Sequence, residues 1–207
     1  MVAAGGTLAL AVAAWAILAW QSSMAMSSMA MPSMAPASPW SFGSAWIVMT
    51  AAMMLPSATP FVVAFTRGFA RDRLWLVGAA LLVAAYLAVW AVFGLVLFAV
   101  SRVVLLPAPS VAVTLIAVAF AAAYGLSPLR RAGEARCVDM CRRFEGAAGG
   151  AVRSAVARGG RYGLGCVLCT AGVMVAVFVV GMSDLRLMAV GTAAVALLKL
   201  RSWAAMA

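Results

Sequence analysis

The chain has 207 residues, of which 67% are hydrophobic and 10% charged; its net charge is +10 and its mean hydropathy +1.10. A soluble domain of this size needs a polar shell that so few polar residues cannot supply, whereas lipid can replace water around a helical membrane domain. The basic excess is not a nucleic-acid footprint, because the arginines cluster in short stretches between apolar runs of spanning length.

Six apolar runs approach the roughly 20 residues that a helix needs to cross a bilayer. They predict an all-α, polytopic membrane bundle forming one domain over 1–207, with spans at 2–20, 44–65, 74–100, 111–127, 162–182 and 187–203. The first run has no positive charge before it and is as long as a span, so it reads as a retained helix rather than a cleaved signal. The third is long enough to tilt. The sixth ends near Lys199 and Arg201, which can snorkel to the interface.

The loops fix the expected orientation. Arg67, Arg71 and Arg73 lie between the second and third spans, and eight arginines lie in a basic loop over 128–161. With Lys199 and Arg201, thirteen of the fifteen basic residues fall on one side of a six-span chain. Only Arg102 and Arg186 fall on the other. The positive-inside rule then predicts both termini in the cytoplasm and residence in a bacterial cytoplasmic (inner) membrane. Within the basic loop, 151–161 alternates small apolar residues with arginines and reads as a short interfacial helix on anionic head groups.

The chemistry available is narrow. There is no histidine, which removes Ser-His-Asp and Cys-His catalysis and the His-containing zinc sites. The five carboxylates, Asp72, Glu134, Asp139, Glu145 and Asp184, all fall in expected loops. No catalytic residue is assigned, and the chain does not read as an enzyme. Sulfur is plentiful, with fourteen methionines and four cysteines. The outer loop 21–43 carries Met24, Met26, Met29, Met31 and Met34, candidates for capture of a soft ion such as Cu(I). The same run reads equally as a low-complexity linker.

In the second span, WIVMTAAMMLPSATP, Met49 and Met53 share a helix face and Met54 follows. Pro56 cannot donate to the carbonyl of Ala52, so a helix break is expected there. Open carbonyls beside thioethers could hold an ion, although methionine packing alone also explains the run. The cysteines form two pairs, Cys137 with Cys141 and Cys166 with Cys169. Both fall on the expected cytoplasmic side, the second in the first turns of the fifth span. A reducing compartment leaves metal binding, redox exchange or packing open to them. Gly165, Cys169 and Gly172 also make a small-residue stripe suited to close helix contact.

The stretch WIVMTAAMMLPSATP resembles the second-span signature of a bacterial family of unknown function, described as predicted metal-binding integral membrane proteins. Tyr86, YGLSPLRR from Tyr124, CVDMC, YGLGCVLC, Met174, Gly181 and Met182 follow in the same order, so the resemblance covers roughly 44–200. It implies functional roles for Met53, Met54, Pro56, Cys137, Cys141, Cys166 and Cys169. Two departures are visible. Thr170 stands where the family has a second adjacent cysteine, and arginine replaces the usual lysine after Pro128.

The leading expectation is a membrane protein for soft-metal handling, delivery or transport, with copper as the metal. Its expected partners are the lipid membrane, another membrane protein or a metal-receiving protein, and no nucleic acid. A structural or assembly subunit of a larger membrane complex is the first alternative. Thiol–disulfide exchange through Cys166 and Cys169 is the second.

Overall fold

The computed structural model describes residues 2–27, 38–69, 72–103, 110–142, 151–180 and 185–204. These residues contain seven helices and no strand: α1 Val2–Ser27, α2 Pro39–Gly68, α3 Trp75–Val103, α4 Val111–Gly125, α5 Pro128–Arg142, α6 Ala151–Val180 and α7 Leu185–Ala204. Each of the six apolar runs is represented by a helix. Four of them, α1, α2, α3 and α6, are long and apolar enough to cross a membrane. The α4–α5 pair passes that test only together, as one helix pair bent by 60°. The described apolar part of α7 is Met188–Leu197.

Local chemistry sets the helix ends. Ser38 accepts from the Ser41 N–H while the Ser41 hydroxyl sits 3.3 Å from the Ser38 N–H, a capping box, and Pro39 occupies the first turn. This start shortens the expected outer loop, since α1 runs to Ser27. Ser127 caps α5 by accepting from the Arg130 N–H at 3.2 Å. Arg130 also reaches back to the Gly125 carbonyl at 2.7 Å and pairs with Glu134 one turn on. That arginine therefore satisfies an exposed end of α4 while bracing α5, and it holds the corner between them.

Three expectations change. The segment 128–142, read as loop, is a capped helix. The segment 151–161 is no separate interfacial helix but the start of the 30-residue α6. Its interruption, Gly159-Gly160, costs helix propensity, yet a Cβ on Gly159 would clash with the Leu82 carbonyl of α3 and one on Gly163 would come within 3.0 Å of Val89. Helix continuity there is held by close packing on α3. Finally, α2 runs unbroken through both Pro56 and Pro60. The Ala52 carbonyl that Pro56 cannot satisfy accepts instead from the Trp15 indole of α1 at 3.1 Å.

The core sits between α2, α3 and α6. Trp46 of α2 donates to the Trp90 carbonyl at 2.8 Å and packs flat over Gly94 of α3. Phe61 and Tyr162 stack with ring centroids 3.9 Å apart, tying α2 to α6. On its other side α6 receives α4, where Tyr124 covers Gly172 and donates to the Leu168 carbonyl at 2.6 Å. Glycines at 159, 163, 165 and 172 thus leave room on α6 for α3, for α5 and for the Tyr124 side chain of α4.

Candidate metal centre

Where α5 packs on α6, Cys137 comes against the α6 segment that carries Cys166 and Cys169. A Cβ on Gly133 would lie 2.7 Å from the Cys169 nitrogen and 2.9 Å from the Gly165 carbonyl oxygen. One turn further along α5, the Cys137 Sγ lies 3.1 Å from where a Gly165 Cβ would be. The two backbones can approach this closely only because both seam positions lack a side chain. The seam therefore delivers Cys137, from the first pair, onto the α6 segment that carries Cys166 and Cys169.

Cys137, Cys166 and Cys169 are all buried, and none of the three is in a disulfide. Cys166 looks toward α3 and shares a 3.3 Å hydrogen bond with the Tyr86 hydroxyl. Cys169 lies on the α5 side, and its thiol donates to the Cys166 carbonyl at 3.2 Å. Thr170 donates to that same carbonyl at 2.7 Å. The residue that replaces the family's second cysteine thus ties its side chain back to the helix. Cys141 falls in the last turn of α5, and its side chain lies outside the described residues. Among the described residues, no three of His, Cys, Asp and Glu gather closely enough to hold a metal together. Cys166 is engaged by Tyr86 of α3, and the Cys169 thiol is turned back onto its own helix. The 166–169 pair also sits near the middle of α6, because 151–161 extends that helix by about three turns.

The second-span methionines occupy a different place. Met49, Met53 and Met54 are all buried, and the Met53 methyl would lie 3.0 Å from a Cβ on Gly191 of α7. Three carbonyls around them accept from side chains. Trp15 takes that of Ala52, Ser57 that of Met54 at 2.9 Å and Thr59 that of Leu55 at 3.0 Å. One side-chain polar atom among them is left over: the hydroxyl of Thr50, on the face of Met53 and Met54, is fully buried without a hydrogen-bond partner. Of the capture methionines, Met24 and Met26 fall in the last turn of α1, and Met29, Met31 and Met34 lie outside the described residues.

Sequence reasoning missed the seam itself, Gly133 and the α5 helix. Ser127-Pro128 was a readable cap and first-turn signal, and Gly133 stands four residues before Cys137, on one helix face. The donor chemistry of the seam, thiols with no imidazole, suits a soft monovalent ion better than a hard cation. Comparison with known families agrees in kind. The model of the family PpoB2, described as a copper chaperone, matches residues 43–207. No curated protein and no solved structure matches the chain.

Proposed function

This chain belongs to the PpoB2 copper-chaperone family, and we propose that it is an integral membrane protein that holds Cu(I) on thiols at the α5–α6 seam and passes it to a receiving protein. Cys137 and Cys169 bind from the two helices, with Cys141 and Cys166 as further thiols within the same stretch. The observation that carries this reading is the contact between the Cys137 Sγ and the Gly165 position, which sets Cys137 against the helix segment that bears Cys166 and Cys169. Cu(I) accepts a low coordination number and prefers sulfur, so a pair of thiols can hold it while a third competes. Such a site releases its ion by ligand exchange: an incoming thiol bonds to copper as a cysteine leaves, with no change of oxidation state.

The basic clusters argue for six crossings with the seam toward the cytoplasm, where thiols stay reduced. In that arrangement the methionines before α2 face the opposite side, and their role is capture of incoming copper. Copper bound by the full chain, purified under reducing and chelator-free conditions, tests the reading by competition with a Cu(I)-selective chromophore. Replacing Cys137 and Cys169 by serine is expected to weaken Cu(I) binding at least about tenfold, equivalent to ~1.4 kcal/mol. Unchanged affinity in the double variant would overturn it.

A further inference from the structure

A cavity of about 720 Å³ opens beside the seam, lined among others by Arg136, Asp139 and Met140 of α5 and by Arg158, Arg161 and Gly165 of α6. Its lining therefore includes three arginines and one aspartate. Gly165 is also the residue against which the Cys137 sulfur packs, so the cavity reaches the edge of the thiol seam.

This wall does not suit a bare cation. Three arginines beside one aspartate give the wall an excess of positive charge, which repels Cu(I) and attracts anions. The cavity has the size of a small-molecule site, typically about 300–1,000 Å³. Its Met140 thioether suits a soft centre, while its guanidinium groups suit carboxylates. We propose that this cavity receives copper as an anionic complex, Cu(I) bound by a low-molecular-weight thiol that carries carboxylates, and positions it for exchange onto Cys137. This rests on the reading of the seam as the copper site and names the form in which the ion arrives. In the exchange a Cu–S bond to Cys137 forms and a Cu–S bond to the donor breaks. The Cys137 proton passes to the departing thiolate, and copper remains Cu(I).

The test is the rate at which the full chain in detergent takes Cu(I) from two preformed donors. One is the glutathione complex, which is anionic, and the other the 2-mercaptoethanol complex, whose thiol carries no carboxylate. The ultraviolet copper–thiolate absorption of the chain reports transfer. Arg136 and Arg161 are the exposed arginines of the wall, so Arg136→Gln with Arg161→Gln is chosen and Arg158, which lies over the Phe69 ring, is left in place. Transfer from glutathione is expected to slow about tenfold in this variant and to slow with added salt in the wild type. Transfer from mercaptoethanol and the final affinity should not change, and Arg136→Lys with Arg161→Lys should keep most of the rate. Equal slowing with both donors, or none with glutathione, would overturn the inference while leaving the copper site standing. Failure of both donors to load the wild type would remove the copper reading, and this inference with it.

Discussion

At the scale of single residues, the sharpest contrast is between two kinds of sulfur. Met53 and Met54 lie in a core whose neighbouring carbonyls are bonded to Trp15, Ser57 and Thr59, and the Met53 methyl packs by Gly191. Thioethers there have few partners with which to complete an ion site. Met53→Leu with Met54→Leu is therefore expected to cost less than about 1.5 kcal/mol per site, as volume-conserving core exchanges do, and to leave copper content unchanged. Thermal unfolding in detergent and metal analysis of the same sample check both halves. A folded double variant depleted of copper would move the site to α2 and give the orphan Thr50 hydroxyl a ligand to serve. The methionine cluster was legible in the sequence, but the closing of its carbonyls was not. The donor to Ala52 is Trp15, a side chain 37 positions away in α1, and no local pattern in α2 announces it.

At the scale of elements, the α5–α6 seam depends on two missing side chains. A methyl added at Gly133 meets backbone atoms of Cys169 and Gly165, which cannot rotate aside, so α5 must move away from α6. Gly133→Ala is expected to destabilise the chain by about 1–3 kcal/mol, the usual range for overpacking, and to lower Cu(I) affinity with every cysteine intact. Gly160→Ala is the matched control, because a Cβ there meets nothing within 4 Å. Circular-dichroism melts and chromophore competition on both variants read the result, and equal affinity in the two would separate α5 from the metal. The helices α1, α2, α3 and α6 were readable because their apolar length distinguishes them. The polar α5 was not, since a helix rich in arginine is set by its cap and its packing rather than by apolar periodicity. The same reason hid the true start of α6, whose first turns look like an interfacial helix until Gly159 and Gly163 are seen against α3.

At the scale of the whole molecule, the glycine faces of α6 collect α3, α4 and α5 around one helix, while α2 locks to α3 through Trp46. The proposed orientation, with both termini in the cytoplasm, predicts that a single cysteine at position 145 in a cysteine-free chain resists an impermeant thiol reagent in intact cells and that one at position 103 reacts. Labelling at 145 with the membrane sealed would reverse the orientation and put the seam on the oxidising side. The central claim concerns the ion itself, and X-ray absorption at the copper edge of the full chain loaded with Cu(I) addresses it most directly. The account predicts a Cu(I) edge with a first shell of sulfur that loses sulfur in Cys137→Ser. A first shell of oxygen or nitrogen, or one identical in wild type and Cys137→Ser, would contradict it.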